Sequence, residues 1–294
     1  DGDGDTAEQS VTVNTVAGPL FNDAPSGGSS VVTTDEGNIP GMGSQHETSA
    51  TQPFGAATDG SFKMELHGAD ATVSIGGTEL KVENGKLYHN GVEVTADAAV
   101  SVPGGAHGTL TVTGMDADGT VHYTYTLTAP VDATGNASNR PGEGDAGRGE
   151  AVHADAFDVT ITTTGGTATG QITVDALDDA PVLSTLDTTQ TTVADGEAAL
   201  TGTLSFTPGA DAEGAQVTVE VEGQTFTGTK GENGWTFTGG SDGSSFQLNG
   251  TAFTYTRPSS NTTDGRNDTI ILKVTVTDGD GDTAEQSVTV NTVA

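Results

Sequence analysis

Apolar residues recur at every second position through much of this chain. Residues 270–277 read IILKVTVT and residues 287–293 read SVTVNTV, and residues 109–113, 121–127 and 218–221 alternate in the same way. A period of two predicts half-buried β-strands. Between them stand Gly76-Gly77, Asn84-Gly85, Asn90-Gly91, Asn233-Gly234 and Asn249-Gly250. Such pairs tolerate the positive φ angles of a two-residue hairpin turn. No stretch carries a helical period. Short strands with frequent turns predict an all-β fold of antiparallel β-sandwiches in which each strand buries one face. Residues 37–57 and 129–155 interrupt the alternation with Pro and Gly, and they predict long irregular loops.

The chain also repeats itself. Its first 17 residues, DGDGDTAEQSVTVNTVA, recur as residues 278–294. A fainter echo links FDVTITTTGGTATGQITVDALDDAP (residues 157–181) with LKVTVTDGDGDTAEQSVTVNTVA (residues 272–294). Both read as strand, tight turn, Thr-Ala, strand. The expected organisation is therefore the terminal strand or linker of a preceding repeat at 1–17, then one sandwich at 18–177 and a second at 178–294. The two would stand end to end within a longer parent built of tandem units.

Charge narrows the function. There are 41 acidic and 9 basic residues, a net charge of −32, so DNA, RNA and anionic membrane surfaces are excluded as partners. Cysteine is absent, which removes disulfides and thiolate metal sites. No apolar run has the length of a transmembrane helix, so no membrane insertion is expected, and the residues from Asp1 onward are not expected to act as a signal peptide. An apolar content of 32% with 43 glycines permits disorder by composition alone, but the strand alternation argues for thin folded sandwiches. The expected state is a monomer whose partners are neighbouring repeats of its own polypeptide.

Some of the negative charge is patterned. Asp278-Gly-Asp280-Gly-Asp282, and its copy Asp1-Gly-Asp3-Gly-Asp5, place carboxylates at alternate positions with glycine between them. Oxygen ligands on such a flexible path can wrap a hard cation, and Ca²⁺ suits them. The plainer reading is a solvated acidic turn. Strand counting sharpens the first reading. If the last strand leaves its sandwich at the far pole, the turn before it lies at the near pole, beside the linker Asp178-Asp179-Ala180-Pro181. A strand over 181–193 with its return over 200–207 brings the turn of Asp211 and Glu213 to the same pole. Three acidic elements are thus expected to converge on the junction between the sandwiches. The matching hairpin of the first sandwich, Thr163-Thr164-Gly165-Gly166, carries no acids. Asp116 and Asp118 form a further acidic turn, open to reading as ligands or as a plain turn.

These residues resemble the tandem Ig-like repeats of giant type I-secreted, RTX-type bacterial adhesins of the biofilm-associated large adhesion protein family. The hairpin VTVTDGDGDTAEQSVTVN is similar to the family's repeat ending and the linker LDDAP to its repeat beginning. GTLTVTGMDADGTVHYTYTL looks like a strand pair recurrent in those repeats, and TGTLSFTPGADAEG and FTYTRP are similar to the same superfamily. The resemblance implies export to the surface of a Gram-negative cell, sandwich arrays stiffened by calcium, and roles in adhesion and biofilm formation. Host or biofilm surfaces would be met through other domains. It carries calcium ligation onto Asp178, Asp179, Asp278, Asp280 and Asp282, and not onto residues 163–166.

Catalytic patterns fall away. Gly239-Gly-Ser241-Asp-Gly243 fits a nucleophile elbow, yet no His follows Ser241 and no helix is in prospect. Gly142-Glu-Gly144-Asp-Ala-Gly147 fits a dinucleotide fingerprint but sits in an acidic loop that would repel a pyrophosphate. The six histidines have no metalloprotease spacing, and His122 is expected to face outward from its strand. Trp235 is expected in the core. The chain reads as no enzyme. It reads as a structural extender of a surface adhesin, with a carbohydrate- or protein-binding module in the larger first sandwich as the alternative.

Overall fold

The computed structural model describes residues 17–22, 29–43, 56–131, 151–194, 198–232, 234–258 and 269–293. The first part of the chain forms strands β1 (Leu20–Asn22), β2 (Ser29–Asp35), β3 (Ala57–Glu65), β4 (Ala71–Ile75), β5 (Thr78–Glu83), β6 (Lys86–His89), β7 (Val92–Glu93), β8 (Val100–Val102), β9 (Gly108–Met115), β10 (Thr120–Leu127), β11 (Ala151–Thr163) and β12 (Gly166–Leu177). They make two sheets, ordered β1-β3-β10-β9-β8 and β2-β12-β11-β4-β5-β6-β7. The second part forms β13 (Val182–Thr188), β14 (Thr192–Ala194), β15 (Ala199–Thr207), β16 (Gln216–Val221), β17 (Gln224–Gly231), β18 (Gly234–Gly239), β19 (Ser245–Asn249), β20 (Ala252–Thr256), β21 (Thr269–Thr277) and β22 (Thr283–Val293). Their sheets run β13-β15-β20-β19 and β14-β22-β21-β16-β17-β18. No α-helix occurs among the described residues.

Alternation along the strands builds the cores. In β10, Val121, Tyr123, Tyr125 and Leu127 are buried while the residues between them are not. In β21, Ile270, Leu272, Val274 and Val276 do the same. Each inward side chain of this size is worth roughly 1.5–3 kcal/mol of burial. Strand glycines serve the aromatic rings opposite them. A Cβ at Gly60 would stand 2.4 Å from the Tyr123 ring, and Gly108, Gly202 and Gly228 likewise receive Tyr125, Phe253 and Phe237. These glycines pack rings rather than permit disorder. The Tyr123 hydroxyl then reaches Ser30 Oγ in the facing sheet at 2.7 Å.

Four features differ from the sequence reading. The pairing is not wholly antiparallel, because β2 lies parallel to β12 and β14 parallel to β22. The single strand expected over 181–193 is two strands, since β13 pairs with β15 in one sheet and β14 crosses to β22 in the other. Strand β11 begins at Ala151 and a 3-10 turn (Glu36–Asn38) follows β2, so both predicted loops are shorter than expected at those ends. Residues 44–55 and 132–150 lie outside the described residues. Trp235 is only half-buried, edge-on to Phe206 at 5.2 Å between ring centroids.

Each sandwich has a leading pole, where its first strand begins, and a trailing pole, where its last strand ends. The trailing pole of the first meets the leading pole of the second. There Ala210, from the loop after β15, packs into the apolar cluster of the first sandwich.

Candidate metal centre at the junction

Strand register delivers the acids to this seam. Leu177 at the end of β12 pairs with Asp35 at the end of β2. The next residues, Asp178 and Glu36, therefore emerge side by side at the trailing pole. Val182 pairs with Thr207, which brings the loop carrying Asp211 against the linker. Gln216 pairs with Thr277 and Thr277 with Thr283, which places the turn of Asp278, Asp280 and Asp282 beside that loop. Gly279 N–H donates to Asp211 carbonyl at 2.7 Å and joins the two turns.

The carboxylates are deeply placed. Asp35 and Glu36 are fully buried, and Asp178, Asp179, Asp211, Asp278 and Asp282 are each no more than 6% exposed. Oxygens of Glu36, Asp178 and Asp211 lie within 4.8 Å of one another. Four of these acids are partly held by the backbone. Val131 N–H donates to Glu36 Oε1 at 2.7 Å, and Ala210 N–H to Asp179 Oδ2 at 2.9 Å. Gly37 N–H donates to Asp35 Oδ1 at 3.0 Å. Gly281 and Asp282 N–H donate to Asp278 Oδ1 at 3.0 and 2.7 Å. The remaining oxygens Glu36 Oε2, Asp178 Oδ1, Asp278 Oδ2 and Asp280 Oδ1 are buried with no hydrogen-bond partner among the described residues.

Such an arrangement is costly without a counter-charge. Burial, then the neighbouring Asp211, pushes Glu36 up to about 9. Burial, then Asp280, Asp282, Asp211 and Asp179, pushes Asp178 up to about 8. Asp278 is pushed up to about 9 by burial and by its contact with Asp280, and Asp282 is raised by burial and by Asp280. No Lys or Arg among the described residues pairs with Glu36, Asp178, Asp278 or Asp282. Clustered all-oxygen donors with spare lone pairs fit a hard divalent cation, and nitrogen and sulfur donors are absent from the set.

The sequence-derived candidates thus separate into groups. Asp178, Asp179, Asp211, Asp278, Asp280 and Asp282 gather at the seam. Glu213 stands in the same loop with its side chain exposed, outside the buried set. Asp116 and Asp118 lie at the opposite pole of the first sandwich, exposed and engaged by His122 at 2.8 Å and Lys63 at 3.1 Å. They form an exposed turn apart from the seam. Asp1, Asp3 and Asp5 lie outside the described residues. Glu36 and Asp35 were not anticipated. Their signal was an acidic pair closing the β-branched run VVTT (31–34), but its pole depends on the parallel pairing of β2.

Comparison with known proteins adds fold neighbours only. No family model matches the chain, and no curated protein matches it. Among solved structures it is similar to the titin domains Z1Z2 in complex with telethonin, with 12% identity, a TM-score of 0.43, and coverage of 96% of this chain and 98% of that one. It is similar also to the titin I-band fragment I67–I69, with 10% identity, a TM-score of 0.26, and coverage of 95% and 66%. The eight N-terminal Ig domains of Down Syndrome Cell Adhesion Molecule align at 10% identity and a TM-score of 0.29, with coverage of 97% and 25%. This chain spans about a quarter of that last protein's chain. The present chain is by its own strand order an all-β tandem of two-sheet sandwiches. Among the described residues no helix is long and apolar enough to cross a membrane.

Proposed function

We propose that this chain is a calcium-stiffened extender segment of a bacterial cell-surface adhesin, holding other domains away from the cell. One observation carries the reading. Carboxylates of the first sandwich (Glu36), the linker (Asp178) and the second sandwich (Asp211) share one buried cluster, in which Glu36 Oε2 and Asp178 Oδ1 have no hydrogen-bond partner among the described residues. A cation bound there joins both sandwiches and the linker into one body. Without it, these buried carboxyls must take up protons or repel one another across the seam. Extracellular calcium modules bind at about 10⁻⁴–10⁻³ M. Such a site fills outside a cell and empties inside it, which keeps the chain loose for export. The sequence resemblance to type I-secreted adhesins supports the same context.

The test is thermal unfolding in chelator and in calcium. With a dissociation constant of about 10⁻⁴ M, about 1 mM calcium stabilises a single site by about 1.4 kcal/mol. The melting temperature then rises by roughly 2–3 °C for a chain of this size. An unchanged melting curve contradicts the reading.

A further inference from the structure

One more buried carboxylate lies near the trailing pole of the first sandwich, and it is satisfied differently from the seam acids. Asp155, close to the start of β11, is 7% exposed. Ala106 N–H donates to its Oδ1 at 2.7 Å, and the N–H groups of His107 and Gly108 donate to its Oδ2, each at 3.2 Å. The Tyr125 hydroxyl donates to Oδ2 at 2.5 Å. Four donors fill this carboxylate, so it needs no cation. Its work is to hold the loop before β9. That loop closes tightly, since a Cβ at Gly105 would stand 2.9 Å from Asp155 Oδ2 and 2.2 Å from Gly108 carbonyl.

From this anchored loop, His107 grips the segment after β10. Its carbonyl accepts from the N–H groups of Thr128 and Ala129 at 2.9 and 3.0 Å, and from the Thr128 hydroxyl at 3.2 Å. Its ring Nδ1 lies 2.6 Å from Pro130 carbonyl. A carbonyl oxygen only accepts, so Nδ1 carries the proton and donates. Pro130 carbonyl and Val131 N–H belong to one rigid trans peptide, and they point to opposite sides of it. His107 holds one side of that plane. The other side meets Glu36, where Val131 N–H donates to Oε1 at 2.7 Å. Glu36 Oε2 is the oxygen left buried with no hydrogen-bond partner among the described residues. The orientation of one peptide therefore decides which oxygen of Glu36 is occupied and which is open to a cation.

We propose that His107 is a positioning residue of the seam: by holding Pro130 carbonyl it turns Val131 N–H onto Glu36 Oε1 and leaves Oε2 to the cation. This role rests on calcium binding at Glu36, Asp178 and Asp211. The imidazole acts on the peptide plane alone. Thr128 and Ala129 stay tied to the backbone carbonyl of residue 107 whatever its side chain.

The test compares the parent chain with His107→Ala, which removes the donor, and His107→Asn, whose amide N–H takes the place of Nδ1–H. Gly60→Ala, which crowds the Tyr123 ring in the same sandwich, is the control for a loss of stability alone. Calorimetric titration with calcium chloride reads affinity. Amide hydrogen exchange in chelator reads Val131 N–H without any metal. His107→Ala should weaken calcium binding about tenfold, as loss of a group that orients a metal ligand does. It should also lose the exchange protection of Val131 while the β10 amides keep theirs. His107→Asn should restore both, and Gly60→Ala should bind calcium as the parent does. The proposal is overturned if His107→Ala binds calcium like the parent, if Val131 keeps its protection, or if the Asn variant is no better than the Ala variant. A loss in Gly60→Ala as large as that in His107→Ala overturns it too. A parent that binds no calcium overturns the cation site and this role with it, and the exchange measured in chelator then shows separately whether His107 holds the peptide.

Discussion

Glu36 shows how one side chain can serve two states. Its Oε1 accepts from Val131 N–H while Oε2 stays buried without a partner. Glu36→Gln keeps the first bond through the amide oxygen and removes the charge. Calcium affinity should fall by roughly tenfold, about 1.4 kcal/mol, because ligand charge tunes such sites. In chelator the same variant should melt higher than the parent, since one repelling carboxylate has gone. Calorimetric titration and melting curves check both halves, and a variant that binds calcium as the parent does would remove Glu36 from the site. The titration of the seam has a definite sign. Glu36, Asp178 and Asp278 have folded values raised to about 9, 8 and 9. Their contribution is fully present below the unfolded carboxylate range and is lost as pH rises through about 8–9. In chelator, stability should therefore decline from pH 5 to pH 9. Calcium, which competes with those protons, should flatten or reverse the slope.

Strands and turns carried most of what could be read from the residues. The alternation in 270–277 and 287–293 gave β21 and β22, and the parity of an antiparallel hairpin put Asp278, Asp280 and Asp282 near Asp178 and Asp211. Parity failed where pairing is parallel. Strand β2 lies beside β12, so its acidic end arrives at the same pole as Asp178, and antiparallel counting cannot foresee that. The split of β13 from β14 has a similar cause, because which sheet a segment joins is decided by distant partners. Strand glycines were legible only as a number, until the rings opposite them were placed. Gly60→Ala tests this packing, since Gly60 lies in β3 outside the positive-φ glycines while a Cβ would meet the Tyr123 ring. Overpacking of this kind costs about 1–3 kcal/mol, measurable as a lower urea midpoint with an unchanged slope.

For the molecule as a whole, the net charge of −32 has two parts. Exposed acids such as Asp116 and Asp118 pair locally or face water. The buried set at the seam is the part a divalent cation would neutralise, and it lies where two bodies with separate apolar clusters meet. Each sandwich has its own core, so losing the cation should loosen the joint before it unfolds either one. Small-angle X-ray scattering of the chain in calcium and in chelator tests this most directly. The account predicts a single extended shape with one well-defined maximum dimension in calcium, and in chelator a broadened profile of a jointed pair with both sandwiches intact. Superimposable scattering profiles in the two media would contradict it.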